Sequence, residues 1–450
     1  MASVRFERTQ YDLGVDVVVV GAGACGLVAA IAARDAGADV VLLERTEGPS
    51  GSTAMSQGYI CAAGSRLQRE AGIEDSPDIF YDDIMAKTRG TADPLVARTV
   101  ADHSGPTMDW LVERCRLPYS VSPDWAGFFG HSVSRLHGLP SKMGRELLAV
   151  LTDRAVEAGV EIVPHAHARE VFATDGGRVE GLAVHRPDGS EERIACKALV
   201  AATCGFGANR EMVRKFIPEF GNSPQYRYYG HEGNEGEGIL WGMELGAGVG
   251  SMNAFQGYGA LAEPHAVLAN YDMVLMGGFS VNALGERFSD ETFDVSGQAL
   301  RVLAQPGGIA WMIYDEERHL RCRDLPEYKE LAALDGLKVA DTVEGLAAAI
   351  RVPADRLAKT FAEVRQAAIG ARLCPFGRDF TRRPTLKPPY YAVRVTGALF
   401  HTQGGLLVDG DARVLRADGS GLPNMFAGGG AARSISGDGV SGYLPAAGLC

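Results

Sequence analysis

The 450 residues predict an α/β protein: a dinucleotide-binding βαβ unit near the N-terminus, in a domain interrupted by a second, inserted one. Three observations carry this expectation. The valine run Val17–Val20 leads straight into Gly21-Ala22-Gly23-Ala24-Cys25-Gly26, then an Ala-rich segment from Leu27 to about Ala36, then a second apolar run, Val40–Leu43, that ends at Glu44. Apolar, strand-like runs alternate with amphipathic segments as far as Phe206. The texture then changes at about Gly236, where glycines multiply and the alternation breaks down. It returns to strand and loop only after the basic, proline-rich stretch that begins at Arg382-Arg383-Pro384.

Four β-branched residues in a row have the composition of a strand buried on both faces. Each glycine of the G-x-G-x-x-G that follows has its own task. Gly21 permits the tight turn off the strand, Gly23 lets the main chain approach a pyrophosphate, and Gly26 lets helix and strand pack closely. Ala24 and Cys25 open the helix, whose N–H groups and positive dipole end favour phosphate. Glu44 stands about 20 residues on, where an acid accepts hydrogen bonds from ribose hydroxyls and repels a 2′-phosphate. Arg45 beside it joins the candidate contacts. The glycine triplet alone is a weak signal; with strand, helix and acid in order it is a strong one. The Gly-, Ser- and Thr-rich stretch Thr46–Gly64 offers a second contact surface, because small side chains let a flat ring come close. Ser52, Thr53 and Gly58 are its candidates.

Composition narrows the class. Apolar residues make up 46% and charged residues 22%, enough for a large core. A net charge of −12 argues against nucleic acid or an anionic membrane surface as partner. No apolar run reaches the ~18 residues of a membrane span, and the polar start has no leader-like apolar segment, so a cytoplasmic location is expected. The eight cysteines include no C-x-x-C pair, which reads as reduced thiols, and no Cys/His set has zinc spacing.

Taken in order, residues 76–116 read as helical, with Asp93-Pro94 a good helix start. Val121–Met143 reads as irregular and carries His131, Arg135 and His137, which either touch a substrate or sit in a solvated loop. Gly144–Ala158 is an amphipathic helix. Val160–Val163, Ala168–Ala173, Val179–His185, Glu192–Ala195 and Ala198–Phe206 read as strands separated by turn residues. Residues 240–385 are expected to form the inserted domain, with the proline-rich stretch as its return linker.

Several motifs together resemble the flavoprotein family of soluble fumarate reductases, urocanate reductases and 3-ketosteroid dehydrogenases. Beyond the glycine motif with Glu44, Ser50-Gly51-Ser52-Thr53 is similar to the family's G-G-[NST]-[ST] loop. Ala201–Phe206 is similar to its A-T-G-G-F strand end, with Cys204 where glycine is usual. Gly236-Glu237-Gly238 is similar to G-D-G, Asn282–Phe288 to N-x-x-G-x-R-F, His401–Gly405 to H-T-x-G-G, and Asn424–Gly430 to L-Y-G-A-G-E. The resemblance spans nearly the whole chain. It implies FAD as the dinucleotide and a Rossmann-like FAD-binding domain (1–239 and 386–450) interrupted by an α+β capping domain (240–385), with the active site between them. It extends the candidate FAD contacts to Ala168, Ala202, Thr203, Gly205, Glu237, Gly429, Gly430 and Leu449. Gly430 stands where the family often has a Glu that reaches the flavin ribityl chain.

The departures from the family pattern bear on chemistry. Val295 stands where the fumarate reductases carry a proton-donating Arg, and the next Arg is Arg301. Tyr443 stands where they carry a carboxylate-gripping Arg, and Phe255–Tyr258 replaces a Q-x-H-P. Without two guanidiniums a dicarboxylate loses its bidentate clamp. The resemblance therefore leans toward the ketosteroid dehydrogenase side: desaturation α,β to a cyclic ketone, steroid or smaller, by removal of the α-proton and hydride transfer to the flavin. Tyr443 and His401 are the first catalytic candidates and Tyr258 the third. The alternatives are an enoate or enone reductase of the fumarate or urocanate type, and a flavoprotein subunit of an electron-transfer complex. Expected partners are a small ketone or enoate and an external electron acceptor or donor.

Overall fold

The structure, a computed structural model, describes residues 2–121 and 130–439. The chain divides into two compact units, one of Met1–Ile217, Gly230–Phe255 and His401–Cys450, the other of Pro218–Tyr229 and Gln256–Phe400.

The first unit is built on a nine-stranded mixed sheet. Its centre is the long strand Glu191–Ala201. One side of that strand pairs in parallel with Leu13–Val20. The other side is shared: residues 191–195 pair antiparallel with Val179–His185, and residues 199–201 pair in parallel with Gly421–Ala427. Leu13–Val20 then pairs in parallel with Val40–Leu43, and that strand with Glu161–Val163. In this register Val20, Leu43, Ala201 and Ala427 end at one edge. The segments that leave the strands there, at Gly21, Glu44, Ala202 and Gly428, are thereby gathered together, and ligands of α/β sheets bind at such carboxyl ends.

The helices Ala24–Asp35 and Gly144–Glu157 pack on this sheet through a shared core of Val19, Leu27, Ile31, Leu42, Leu147 and Leu151. Asp93 caps Pro94–Glu113 as expected, accepting from the Leu95 and Val96 amides at 2.9 and 3.1 Å. Two expected strands, Glu192–Ala195 and Ala198–Phe206, are one strand that stops at Ala201. The dip in hydrophobicity at Lys197 is an exposed face of the strand rather than a turn.

The stretch read as irregular contains a strand, Leu136–Gly138, paired with Ile60–Cys61 and Ser120–Val121. His131, Arg135 and His137 are buried there, neither solvated nor open to a substrate. Arg135 forks onto Asp75 at 2.8 and 2.9 Å, pairs with Asp83 and lies 4.8 Å from the Phe80 ring centre. His137 exchanges hydrogen bonds with Ser65 and the Arg135 carbonyl, each at 2.8 Å.

The second unit holds a six-stranded sheet with strand order Val267–Leu268, Phe255–Ala262, Tyr390–Thr402, Ile309–Asp315, Phe279–Val281, and Leu337–Ala340 also on Tyr390–Thr402. Helices and loops cover both faces, one core lying around Met312, Tyr314 and Val393 and the other around Phe279, Ile313 and Leu357. The expected boundaries at 240 and 385 therefore move to 256 and 400. Glu237–Glu244 stays with the first unit, where the buried Trp241 donates to the Arg169 carbonyl at 3.3 Å. The stretch read as a return linker runs into the 13-residue strand Tyr390–Thr402, whose apolar faces need both cores of the second unit. Pro218–Tyr229 joins that unit as well, through a bridge between Tyr228 and Leu399.

A buried ion network ties the second unit together. Glu291 takes Arg287 and Arg378, each at 2.8 Å, and the Ser280 amide at 2.9 Å. Burial alone would raise its pKa, but the two guanidiniums outweigh that and hold it at about 2. A depressed carboxylate pKa means the network stabilises fully above the ordinary value near 4.5 and loses that contribution as pH falls toward 2. Glu291→Gln is expected to lower stability by about 3–5 kcal/mol, since two buried guanidiniums lose their counter-charge. In thermal melts its midpoint should fall well below wild type at pH 7, and the gap should narrow as pH drops below 4.5.

Candidate functional site

At the common strand edge of the first unit the three fingerprint glycines separate into distinct physical roles. Gly21 sits at φ +103°, and a Cβ there would lie 2.4 Å from the Ala202 carbonyl oxygen. A Cβ on Gly26 would lie 1.8 Å from the Gly21 carbonyl oxygen. Protein packing alone demands glycine at both. Gly23 differs. Its φ of −71° suits any residue, and a Cβ would meet only the Thr53 hydroxyl, at an ordinary 3.5 Å. Gly23 is the N-cap of Ala24–Asp35 and has no side chain with which to cap that helix. Nothing in the protein excludes a side chain at Gly23, so what glycine keeps clear there is a cradle in front of the helix N-terminus.

Around this cradle the small-residue loop forms the short helix Gly51–Ala54. Thr53 accepts from the Ala24 amide at 3.2 Å, and Ser52 accepts from the buried Asn234 amide group at 2.9 Å. Gly58, at φ +69°, packs against the Gly144 backbone and accepts from the Tyr119 hydroxyl at 3.0 Å. Glu44 is buried and aimed by main-chain amides, Ala22 on Oε2 at 3.0 Å and Thr46 on Oε1 at 2.9 Å. The Thr46 hydroxyl also donates to Oε1, at 2.8 Å, so of the about four acceptor positions of an ionised carboxylate one remains for a ribose.

Arg45 and Glu237 meet each other directly, and the Arg45 guanidinium lies 2.5 Å from His167 Nε2 and 3.2 Å from the Gly233 carbonyl. Burial would raise the Glu237 pKa, but the His167 contact and the Arg45 charge outweigh it and the pKa is lowered. A cleft of about 530 Å³ opens alongside, lined by Arg45, Thr46, Met55 and Gly230–Gly233. Ala168 lies next to His167, buried in its strand.

On the other side of the cradle the Ala202 amide donates to the Val20 carbonyl and the Thr203 hydroxyl accepts from the Gly238 amide at 3.2 Å. Cys204 has φ +61°, the left-handed conformation that glycine tolerates best. For an ordinary side chain that conformation costs about 1–2 kcal/mol. A Cβ on Gly430 would lie 3.1 Å from the Cys204 sulfur and 2.7 Å from the Gly205 nitrogen. A side chain at position 430 would thus meet the Gly205 main chain first, and the Cys204 carbonyl carbon and thiol next. Burial raises the Cys204 pKa, so the group is a neutral thiol near pH 7. Gly205 is required by the Thr402 hydroxyl, 2.1 Å from where its Cβ would be, and Gly429 has φ +59°.

Of the catalytic candidates, Tyr443 lies outside the described residues, as does Leu449 among the FAD contacts. His401 stands in the first unit, partly buried, its pKa lowered by burial against a smaller opposing pull from the Thr402 carbonyl. Tyr258 stands in the second unit. Its hydroxyl donates to the Ala269 carbonyl at 2.8 Å, its ring stacks on Phe400 at 4.9 Å, and burial raises its pKa. A phenol so engaged and so hard to ionise is poorly suited to serve as a base. Val295 opens the helix Val295–Leu303, capped by Asp294. Arg301 lies six residues further, about 9 Å along the axis and on another side of the helix. It reaches the Asp290 carbonyl and the Phe293 ring.

Residues 16–450 match the family model described as FAD binding domain. The chain belongs to this FAD-binding family. It is similar to a probable fumarate reductase of Shewanella frigidimarina, 28% identical over 95% of this chain and 70% of that protein. It is also similar to the 4-oxocyclohexanecarboxylate 2-dehydrogenase of Sinomonas cyclohexanicum, 27% identical over 95% of this chain and 89% of that protein. Among solved structures it resembles the 3-ketosteroid-Δ4-(5α)-dehydrogenase of Rhodococcus jostii RHA1, with a TM-score of 0.77 and 26% identity over 98% of this chain and 95% of that one. The protein is an FAD-dependent oxidoreductase with relatives named both as ketone dehydrogenases and as fumarate reductases. No helix among the described residues is long and apolar enough to cross a membrane.

The cradle fits FAD. Its open face is the helix N-terminus that Gly23 keeps clear, and Glu44 presents a spare acceptor from the neighbouring strand end. Asn234 was not legible from sequence; it lies two residues before the recognised Gly236-Glu237-Gly238 and matters because the fold brings it to Ser52.

The two glycines make opposite predictions. Gly23→Ala should leave the thermal stability of apoprotein within about 1 kcal/mol of wild type, the scale of a changed N-cap. FAD affinity, read by flavin fluorescence, should fall roughly tenfold or more, about 1.4 kcal/mol. Gly26→Ala should destabilise the apoprotein itself by about 1–3 kcal/mol or more, because a Cβ overlaps main chain.

Proposed function

We propose that this flavoprotein desaturates a cyclic ketone between the carbons α and β to the carbonyl. The observation that carries the reading is the helix start at Asp294-Val295. An apolar side chain stands where the fumarate-reducing members of the resembled family place a guanidinium, and Arg301 is turned to the Asp290 carbonyl and Phe293. Tyr443, in place of the second guanidinium, removes the other half of a dicarboxylate clamp. The reading is supported by the relative named for a dehydrogenase of 4-oxocyclohexanecarboxylate and the neighbour named for a ketosteroid dehydrogenase.

In this reading the ketone oxygen accepts a hydrogen bond, which acidifies the α-carbon. A base takes the α-proton, the β-hydrogen leaves with its electron pair, and a C=C bond forms. FAD, when bound, supplies the acceptor for that hydrogen and its electrons. Tyr443 and His401 are the groups offered to the carbonyl oxygen and the α-proton. A Tyr starts near pKa ~10 and needs help from its surroundings to act as a base. His401, its pKa lowered, is neutral at pH 7.

A second reading, reduction of an enoate, has in its favour the relative named as a probable fumarate reductase. Anaerobic flavin absorbance separates the two. Bleaching of oxidised enzyme by 4-oxocyclohexanecarboxylate, cyclohexanone or a saturated 3-ketosteroid is the expected result and ranks ring size. Re-oxidation of pre-reduced enzyme by fumarate, with no bleaching by any ketone, would overturn the proposal. Tyr443→Phe should lower kcat at least about 100-fold, within the range for lost proton transfer, with FAD content unchanged. Near-wild-type turnover would remove Tyr443 from the chemistry.

A further inference from the structure

Gln403 lies two residues beyond His401, in the H-T-x-G-G motif whose middle position is otherwise open. The side chains alternate. Thr402 is buried and accepts from the Phe206 amide at 3.0 Å, whereas Gln403 Nε2 lies 3.4 Å from His401 Nδ1. Four further contacts fix the Gln403 main chain and amide. Its N–H donates to the Ala254 carbonyl at 2.9 Å and its carbonyl accepts from the Ser434 N–H at 3.1 Å. Its Oε1 accepts from the Ser434 hydroxyl at 3.0 Å and from the Ser436 hydroxyl. Ser434 Oγ in turn accepts from the Ser436 amide at 3.1 Å, which directs its own proton to Gln403. All three side chains are buried, so this network has no water to fall back on and its polarity is set by its members.

With Oε1 occupied by two hydroxyls, the edge of Gln403 that faces His401 is the NH₂, a donor only. Nδ1 of His401 must then accept, and the proton of the neutral ring sits on Nε2. An imidazolium would set Nδ1–H against N–H, so the clamp also disfavours protonation. The opposing influence is the Thr402 carbonyl, 3.4 Å from the same Nδ1, which would favour a proton there.

We infer that Gln403, clamped by Ser434 and Ser436, is a positioning residue that holds His401 as the neutral Nε2–H tautomer. The ring then presents a hydrogen-bond donor to the substrate oxygen and does not take the α-proton. This deepens the ketone reading and rests on it for the identity of that oxygen. It assigns His401 to carbonyl polarisation and leaves the α-proton to another group.

The test reads the tautomer directly in FAD-loaded enzyme without substrate, by ¹H–¹⁵N spectra of histidine-labelled protein. His401→Asn identifies the signal among the ten histidines. Wild type should show Nε2–H. Gln403→Glu keeps the shape and the serine contacts but replaces the donor by an acceptor. It should move the proton to Nδ1, raise the His401 pKa, and lower kcat for the ketone at least about tenfold with KM changed less than about threefold. Should that variant fail to retain FAD, Ser434→Ala/Ser436→Ala gives the same reading, because a freed amide should yield mixed tautomers. Nδ1–H in wild type, or an unchanged tautomer in the variants, overturns the assignment. The expected tautomer in an enzyme that no ketone bleaches overturns the ketone reading and leaves the clamp standing.

Discussion

The approach of the helix Ala24–Asp35 to the end of the strand Leu13–Val20 is the contact on which the first unit depends. A Cβ on Gly26 would lie 1.8 Å from the Gly21 carbonyl oxygen, so helix and strand meet main chain to main chain. That approach points a helix N-terminus with glycine at its N-cap along the edge where three other strands end. The sheet register delivers the segments that carry Glu44, Thr203 and Gly430 to the cradle, and left-handed turns at Cys204 and Gly429 shape two of them.

Charge is distributed so that most deep guanidiniums are already engaged. Arg135 is held by Asp75 and Asp83, Arg318 by Asp315, and Arg287 and Arg378 by Glu291. Such buried pairs hold segments in place because removing one partner strands the other. Arg45, closest to the cradle, is likewise matched by Glu237. Two buried groups of the first unit are neutral: a histidine whose pKa burial lowers and a thiol whose pKa burial raises. Under the proposed function, a neutral donor at His401 suits a carbonyl that gains charge only as the reaction proceeds.

The amino-acid sequence by itself determined the βαβ unit and its dinucleotide cradle, because these rest on local rules: β-branched runs, glycine at fixed offsets, an acid at the second strand end; FAD and the family came from the resemblance of motifs spread along the chain. It also placed the helices Pro94–Glu113 and Gly144–Glu157, whose caps and periodicity are written within a single turn or two. Tertiary structure decided what depends on distant partners. It made one strand of Glu191–Ala201, drew the end of the stretch read as a linker into Tyr390–Thr402, the spine of the second sheet, and buried His131, Arg135 and His137 around Asp75 and Ser65. It also committed the Tyr258 hydroxyl to Ala269, and set Gln403 between two serines and His401. A polar residue has the same identity whether it faces water, a counter-charge or a substrate, and only the surrounding packing chooses among them.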